Sequence, residues 1–469
     1  MKAVLISTYE LGHQPFGLAS PAAWLRREGV EVFLLDTSQQ ALRDYESRIA
    51  EADVVGLYLP MHTATRIAMQ AIRRVRGLNP RVRLCAYGLY APMNAELLRE
   101  MGVEKIIGGE FERELVEWVC ARPDGSERES SFSIPPFPKA GKDGAPNTRS
   151  FVSLERLHFV KPDRTGLPKL EKYAKLKMPS GEERVAGYTE ATRGCKHLCR
   201  HCPIVPVYNG AFRVVQRDVV LADIRQQVAA GAQHITFGDP DFLNGPTHAM
   251  EIVEALHREF PDVTYDVTIK VEHLKKHADL LPRLRDTGCA FVVSAVESFD
   301  DHVLELLDKG HTREDFFEVV RQFRAVGLNL APTFVAFSPW TTLESYREFL
   351  DILGDLDLIE NVPAIQLAIR LLIPAGSRLL ELPEVQQIVG EFDKNLLAYP
   401  WRHADPRVDQ LQRELDKEIE KAAKFGLSRR GVFAHVSKIT DEKLGRVPAE
   451  MALIPDRATI PYLTEPWYC

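Results

Sequence analysis

Two stretches of this chain alternate short apolar runs with amphipathic segments, and this pattern constrains the fold more than any other feature. In residues 1–120 the apolar runs are centred on 3–6, 32–35, 54–57, 84–87 and 105–107, with helical segments between them. Such alternation predicts an α/β domain with a doubly wound, flavodoxin-like parallel sheet. Ligands of such a sheet bind beyond the carboxyl ends of the strands.

The second alternating stretch covers residues 184–375. Its predicted strands are 185–190, 233–238, 264–271, 289–296, 328–336 and 363–372. Six strand and helix units predict a partial (β/α)6 barrel or an open sheet. Residues 121–183 are predicted to be a linker and extended connection, because five prolines fall within 121–150. Residues 376–469 are predicted to be mostly helical. One apolar helix face there comprises Val408, Leu411, Leu415, Ile419 and Ala422.

Composition narrows the class of partner. The formal net charge of −7 offers no basic surface of the kind that binds nucleic acid, and no apolar run is long enough to span a membrane. We therefore expect a cytoplasmic protein that acts on a small molecule. In a reducing compartment, clustered cysteines indicate a metal site or catalysis rather than disulfides.

Three of the seven cysteines lie in the segment TRGCKHLCRHCP, as Cys195, Cys199 and Cys202. Their C-x3-C-x2-C spacing on one loop allows the thiolates to converge on one soft metal centre. A structural zinc site needs four ligands, and His197 or His201 could supply the fourth. An iron–sulfur cluster held by three thiolates instead leaves one iron open to a substrate, which is a catalytic arrangement.

This spacing, after the first strand of a six-unit domain, resembles the radical SAM superfamily. The resemblance implies that Cys195, Cys199 and Cys202 hold a [4Fe–4S] cluster and that S-adenosylmethionine (SAM) chelates the open iron. It also implies an electron donor such as flavodoxin or ferredoxin. The family usually has an aromatic residue before the third cysteine, so the His201 ring is expected to stack on adenine.

Further candidate residues follow from the same resemblance. The segment FGDPDFLNG stands where the family binds the methionine ammonium, which predicts acceptors at the Gly238 carbonyl, Asp239 and Asp241. Turn formation is the alternative role for these aspartates. Glu297 and Ser298 end the fourth strand and are predicted to contact the nucleoside.

Two charged residues are predicted to be catalytic because a buried strand should carry no charge. They are Lys270, late in the third strand, and Arg370, inside the otherwise apolar sixth strand. Each is either paired with another charge or directed at the substrate.

The N-terminal domain resembles the cobalamin-binding domain of the B12-dependent branch of this superfamily. The matching stretch is IIGGEFERELVEWV at 106–119, where Gly108 and Gly109 would allow a corrin or its tail to approach closely. The resemblance leaves open whether cobalamin is a cofactor, because the first loop lacks the usual cobalt-ligating pattern around His13.

The end of the chain, PYLTEPWYC, resembles radical SAM proteins named for a tail of the CCAEP or CUAEP type. If a UGA codon after Cys469 is read as a stop, the protein is a selenoprotein whose next residue is missing. In this interpretation Cys469 is a catalytic soft donor.

The predicted function is therefore that of a radical SAM enzyme that transfers a group to, or rearranges, a small molecule, with cobalamin-assisted methylation as one outcome. Similarity to enzymes of arsinothricin biosynthesis implies an alternative, aminocarboxypropyl transfer to a metalloid such as arsenite. A non-catalytic zinc- or cobalamin-binding protein is the alternative from another class.

Overall fold

The computed structural model describes residues 1–121, 151–447 and 460–465. The N-terminal part is built on a six-stranded sheet in the order β2-β1-β3-β4-β5-β6, in which every neighbouring pair is parallel. Its strands are β1 Lys2–Ser7, β2 Glu31–Asp36, β3 Val54–Tyr58, β4 Arg83–Tyr87, β5 Lys105–Gly109 and β6 Val152–Ser153. The predicted doubly wound sheet is confirmed, and the short strand β6 extends it.

Helices cover both faces of this sheet, because its strands are apolar on both sides. They are α1 Phe16–Arg27, α2 Glu46–Ala50, α3 His62–Leu78, α4 Ala95–Glu100 and α5 Glu112–Cys120. Leu5 and Leu34 face a core with α1 and α5, whereas Val4 and Leu35 face a core with α3.

The second sheet is curled and has seven strands in the order β14-β13-β12-β11-β8-β7-β15. Its five parallel strands are β8 Glu183–Thr189, β11 His234–Phe237, β12 Thr264–Thr268, β13 Cys289–Glu297 and β14 Leu330–Phe334. Two short antiparallel strands, β7 Lys175–Lys177 and β15 Tyr462–Leu463, extend the β8 edge. A separate hairpin pairs β9 Thr192–Gly194 with β10 Phe212–Val214.

The helices of this half-barrel are α6 Val205–Tyr208, α7 Arg217–Ala229, α8 Pro246–Glu259, α9 Val271–Lys276, α10 Leu281–Asp286, α11 Asp301–Leu306, α12 Arg313–Val326 and α13 Leu343–Asp355. Ile235 and Phe237 share a core with residues of α7 and α8. Because strand side chains alternate between the two faces, His234 and Thr236 face the concave side of the sheet.

The predicted sixth strand at 363–372 is wrong. Residues Ala364–Leu367 form a 3₁₀ turn, and one isolated bridge joins Arg370 to Phe337. Pro363 cannot donate a ladder hydrogen bond, so an apolar run that begins there is a poor strand. The barrel is therefore open beyond β14.

The C-terminal region contains α14 Pro383–Ile388, α15 Pro406–Lys424 and α16 Arg429–Lys443. The apolar face predicted for α15 is confirmed, since its five residues are the buried residues of that helix. The predicted linker is partly structured, because β6 joins the first sheet and β7 joins the second. None of the helices in the described ranges has the length and apolar character that crossing a membrane requires.

Candidate active site

The three clustered cysteines lie on the loop between β9 and α6, at the carboxyl end of the half-barrel. Gly194 turns the chain into this loop with φ +75°, and an added Cβ would lie 2.4 Å from the Tyr208 ring. Only glycine fits such a position. Cys195, Cys199 and Cys202 are not in disulfides, and each thiol lies close enough to the other two for their charges to interact.

The spacing of these sulfur atoms distinguishes two kinds of metal centre. Three thiolates on one zinc ion would lie within about 4 Å of one another. In the described part of the chain, the group whose ligand atoms all lie within 4.8 Å is Cys195, His197 and Asp241, not the three cysteines. A cubane cluster places each thiolate on a different iron and so spreads them further. The donor set therefore fits a [4Fe–4S] cluster and argues against the zinc alternative.

Burial keeps the unliganded thiols of Cys195 and Cys202 neutral. It raises the pKa of Cys195 to about 11 and that of Cys202 to about 12. Binding of iron as thiolates therefore requires proton release.

Glu297 connects the cysteine loop to the barrel. It ends β13 with φ +74°, at a register shift against β14, and such strain in a non-glycine residue is typical of functional sites. His201 Nε2 lies 3.1 Å and Lys309 Nζ lies 3.4 Å from Glu297 Oε1. Burial raises the pKa of Glu297, but Lys309 and His201 lower it by a larger amount, so the resulting pKa is about 2. The carboxylate is therefore ionised.

Lys309 is a site residue that the sequence interpretation missed. It is 3 % exposed, and its charge acts on the thiols of Cys199 and Cys202 as well as on Glu297. The usable signal was a lysine three residues after the end of α11, in the segment LDKGHT. His311 lies beside it, and burial with the two nearby lysines lowers the pKa of His311 to about 3.

The residues after β11 are largely engaged by the chain itself. Asp239 accepts hydrogen bonds from the Ala191 backbone N–H (2.9 Å) and the Thr192 hydroxyl (2.5 Å), and burial raises the pKa of Asp239 to about 7. Asp241 accepts from the Leu243 N–H at 3.2 Å. Gly238 is required by packing, because an added Cβ would lie 1.8 Å from the Tyr188 hydroxyl oxygen.

Two further predicted site residues, Ser298 and Lys270, make contacts within the chain. Ser298 accepts a hydrogen bond from the Asp300 backbone N–H at 3.0 Å, beside a pocket that Glu297 also lines. Lys270 lies two residues after the end of β12, pairs with Glu272 at 3.1 Å and lies near the Cys195 thiol.

One predicted catalytic residue, Arg370, is not brought to this site. Arg370 pairs with Asp409 at 2.7 Å and lies over the Trp401 ring, so it joins the sixth unit to α15. The expectation of a substrate-facing Arg370 is therefore corrected: its charge is paired outside the barrel. Cys469 lies outside the described residues.

The carboxyl edge of the first sheet meets the cysteine loop through a buried ion-pair cluster. Arg193, two residues before Cys195, contacts Glu112 at 2.7 Å, Glu190 at 2.7 Å and Glu110 at 3.3 Å. These carboxylates belong to the loop and helix that follow β5 and to the end of β8. The GGEFERE segment thus positions the cysteine loop directly.

The two glycines of that segment have packing roles. An added Cβ would lie 2.2 Å from Pro92 at Gly108 and 2.2 Å from the Ser153 carbonyl oxygen at Gly109. Contact of Gly108 and Gly109 with cobalamin stays a prediction. His13 is buried with its ring 4.9 Å from that of Tyr188, which is a packing role.

Comparison with known proteins agrees with both halves of the fold. The B12 binding domain family matches residues 2–119, and the radical SAM superfamily matches residues 189–353. Similar structures include the radical SAM methyltransferase TsrM from Kitasatospora setae with cobalamin and a [4Fe–4S] cluster bound. It is 19% identical, with a TM-score of 0.59 over 76% of this chain and 70% of that one.

The cobalamin-dependent radical enzyme OxsB is also similar in fold. It is 14% identical, with a TM-score of 0.63 over 90% of this chain and 67% of that one. At such identities the likeness concerns the fold alone.

Curated relatives match a shorter region. They include tRNA-2-methylthio-N(6)-dimethylallyladenosine synthase of Haemophilus influenzae strain PittEE, 23% identical over 40% of this chain and 42% of the relative. The ribosomal protein uS12 methylthiotransferase RimO of Parabacteroides distasonis is 25% identical over 36% and 41%. The chain thus spans about two fifths of the length of these relatives.

These matches imply a [4Fe–4S] cluster, SAM and cobalamin as cofactors. The loop that carries Cys195, Cys199 and Cys202 lies within the matched radical SAM region, and strands β1 to β5 of the first sheet lie within the matched B12 region. The chain therefore carries a radical SAM domain, with a B12 binding domain ahead of it.

Proposed function

We propose that this radical SAM enzyme acts on a small molecule, to which it transfers a group from SAM or which it rearranges. Within this class, the proposed reaction is cobalamin-assisted methylation. The observation that carries this proposal is the direct contact between the two domains at the cysteine loop. Arg193 of β9, the strand that leads into that loop, binds Glu110 and Glu112 of the B12 binding domain. The carboxyl ends of both sheets therefore meet at one place, where ligands of such sheets bind.

Cys195, Cys199 and Cys202 would hold the cluster. When bound and reduced, for example by a flavodoxin or ferredoxin, the cluster supplies the electron that breaks a carbon–sulfur bond of SAM. Lys309 places a fixed positive charge beside two of the thiolates, and Glu297 fixes Lys309 and His201 in position. Water is excluded from this corner, since Glu297 and Lys309 are buried.

SAM recognition is assigned by the chemistry of the remaining polar groups. Glu297 and Ser298 are proposed for the nucleoside, with the His201 ring against adenine. Asp239 and Asp241 already accept hydrogen bonds from backbone groups. The Gly238 carbonyl is therefore the proposed acceptor for the methionine ammonium. The carboxyl groups of Asp239 and Asp241 are proposed to stabilise that ammonium by their negative charge.

The carboxyl edge of the first sheet carries buried polar atoms that fit cobalamin. Ser7 Oγ, Glu10 Oε2 and Asn94 Oδ1 are buried there without a hydrogen-bond partner in the part of the chain that the structure describes. Burial raises the pKa of Glu10 well above its usual range, so this carboxyl group can donate as well as accept. Such groups fit the amide side chains of a corrin, and these three residues would hold them.

When bound, cobalamin supplies a methyl carrier. The loop after β1 is packed on the barrel, with His13 against Tyr188. A corrin at this edge would replace such contacts, so we expect the loop to move on cobalamin binding.

A small-molecule substrate is supported by the polar concave side of the half-barrel. His234 Nε2 lies 2.8 Å from Asp266 Oδ1, and the Thr236 hydroxyl donates to the same oxygen at 2.7 Å. His234 Nδ1 also lies 2.8 Å from Thr264 Oγ1, so these side chains satisfy one another and make the concave surface polar. Lys270, at the rim, is proposed as a further substrate contact.

The C-terminal segment approaches the same end of the barrel. Strand β15 is antiparallel to β7 and therefore parallel to β8, and the Tyr9 hydroxyl donates to Glu465 at 2.6 Å. A role of Cys469 as a soft donor stays a prediction.

The reaction is tested with anaerobically reconstituted enzyme, SAM, a strong reductant and hydroxocobalamin. We expect 5′-deoxyadenosine and S-adenosylhomocysteine, measured by liquid chromatography and mass spectrometry. 5′-Methylthioadenosine as the main product would replace methylation by aminocarboxypropyl transfer. A colourless protein with one zinc and no iron would exclude catalysis of this kind.

A charge substitution tests the role of Lys309. In Lys309→Met the cluster should be harder to reduce, because a positive charge that stabilises the extra electron is gone. We expect the reduction potential to fall by roughly tens of millivolts, the scale of one charge in a protein dielectric. Redox titration followed by electron paramagnetic resonance measures it. The exposed Lys438→Met variant is the control, and an unchanged potential in Lys309→Met would remove Lys309 from the site.

A further inference from the structure

The C-terminal segment 460–465 lies against the loop that follows β1. The Tyr9 hydroxyl donates to Glu465 Oε1 at 2.6 Å, although the two residues are 456 positions apart in the chain. Gly12 packs on the same side chain, because an added Cβ at Gly12 would lie 2.8 Å from Glu465 Cβ. Two positions of the loop are therefore held by one residue of the C-terminal segment.

The two ends of this loop are fixed by other contacts. Thr8 Oγ1 donates to the Ala64 carbonyl at 2.7 Å, and Gln14 Oε1 accepts from Arg164 at 2.8 Å. Residues 9–12 lie between these two points. The contacts with Glu465 therefore act on the middle of the loop, where the chain has most freedom to move.

The middle of the loop is also strained. Leu11 has φ +49°, a left-handed conformation that is unfavourable for leucine, and Gly12 follows with φ +71°. A strained non-glycine residue keeps such a conformation only while the surrounding structure imposes it. Loss of the contacts with Glu465 would therefore favour a different conformation of the loop.

The C-terminal segment is itself held by a short pairing. Strand β15 has two residues, lies at the edge of the second sheet and pairs with β7. Leu463 is buried there, whereas Tyr462 and Glu465 are half-buried and Thr464 is exposed. Short, partly exposed segments open locally with much less free energy than global unfolding requires. This segment can therefore leave the loop while the rest of the protein stays folded.

The loop covers polar atoms at the carboxyl edge of the first sheet. Glu10 Oε2 in the loop and Ser7 Oγ at the end of β1 are buried without a hydrogen-bond partner in the described part of the chain. Both residues belong to the set proposed to hold the amide side chains of a corrin. Because these atoms are enclosed, a corrin reaches them only after the loop has moved.

We propose that residues 460–465 form a strap that holds the loop after β1 closed, and that release of this strap admits cobalamin to the carboxyl edge of the first sheet. The proposal rests on the proposed function, in which cobalamin binds at this edge. A ligand that binds only an open form has an apparent affinity reduced by the fraction of protein that is open. Loosening the strap should therefore tighten cobalamin binding.

The test is equilibrium dialysis of hydroxocobalamin against the full-length, cobalamin-free enzyme. Tyr9→Phe removes the hydroxyl that binds Glu465 and keeps the ring. We expect its apparent Kd to be about fivefold to tenfold lower than that of the wild type, the equilibrium effect of one hydrogen bond. Tyr399→Phe is the control and should bind like the wild type, because the Tyr399 ring packs on Phe392 in the C-terminal region.

A second variant separates the strap from other roles of Tyr9. Glu465→Ala should lower the apparent Kd at least as much as Tyr9→Phe. The double variant should show less than the product of the two effects, because both substitutions remove the same contact. Thermal melting checks that each variant folds. Unchanged or weaker cobalamin binding in the folded single variants would overturn the proposal.

Hydrogen–deuterium exchange gives a readout that does not depend on cobalamin. In the cobalamin-free enzyme, the peptide that covers residues 8–15 should exchange several times faster in Tyr9→Phe than in the wild type. Unchanged exchange in both single variants would show that the strap does not hold the loop. Faster exchange without cobalamin binding in any form of the enzyme would confirm the hold of the strap on the loop and overturn the proposed function.

Discussion

Cys199→Ala is expected to abolish SAM cleavage, lowering 5′-deoxyadenosine formation by at least about three orders of magnitude, the scale seen when an essential catalytic group is lost. Cys199 is the buried member of the three cysteines, and its thiol lies between the other two along the loop. Two thiolates cannot hold a stable [4Fe–4S] cluster with one open iron. Iron should fall from about four atoms per chain to a small fraction of that value.

The experiment requires that the Cys199→Ala variant still folds. The Cys199 carbonyl accepts a hydrogen bond from the Cys202 N–H, and this backbone contact is kept in the alanine variant, so thermal stability should change little. Cys120→Ala, in the B12 binding domain, is the matched control and should keep both iron and activity. Wild-type iron content in purified Cys199→Ala would contradict the assigned cluster site.

Arg193→Met is expected to destabilise the protein by about 3–5 kcal/mol, because removal of one partner leaves buried charges uncompensated. Arg193 is 7 % exposed, and the side chains of Glu110 and Glu112 are fully buried. Three aromatic rings, of Phe16, Phe111 and Phe159, also surround the guanidinium. The free energy of unfolding, measured by chemical denaturation, reports the loss.

The loss of unfolding free energy in Arg193→Met should depend on pH, and the pKa of the Glu110 carboxyl group sets the direction of that dependence. Burial already raises the pKa of Glu110 to about 7 with Arg193 present, and removal of the cation raises it further. A carboxyl with a raised folded-state pKa contributes stability below its unfolded pKa and loses it as pH rises through the folded value. The variant should therefore be closest to wild type at about pH 5 and weakest at about pH 8.

An exposed ion pair is the control for this variant. Arg217 pairs with Glu251 at 3.0 Å, and both side chains are about half exposed. Arg217→Met should change the free energy of unfolding by less than about 1 kcal/mol. Equal effects of the two substitutions would show that the Arg193 cluster does not hold the domains together.

Local sequence patterns were sufficient for much of the fold. Strands β1 to β5 coincide with apolar runs, because a parallel sheet covered on both faces buries every strand residue. Thr312 directly precedes α12 and forms a capping box with Asp315, as a threonine before an amphipathic helix commonly does. The apolar face of α15 follows from a period of 3.6 residues. Each of these features depends on neighbours in sequence.

Other features depend on contacts between distant segments. Arg370 lies in an apolar run like that of a strand, yet its charge is paired with Asp409 of α15, a residue far along the chain. Strands β6, β7 and β15 have too few residues for a pattern, and the edges that they pair with decide their structure. Lys309 and His273 carry no motif, and their position near the cysteines follows from the curl of the second sheet.

The cysteine spacing and the apolar periodicities by themselves determined the fold class of each half of this protein and narrowed its metal centre to a thiolate-bound zinc or iron–sulfur site, because these are short-range properties of the chain. Only the tertiary structure decided which charges meet. It placed Arg193 among Glu110, Glu112 and Glu190, and His197 and His273 around Asp241. The physical reason is that the energy of a buried charge depends on partners within a few ångströms, and packing rather than sequence order sets those distances.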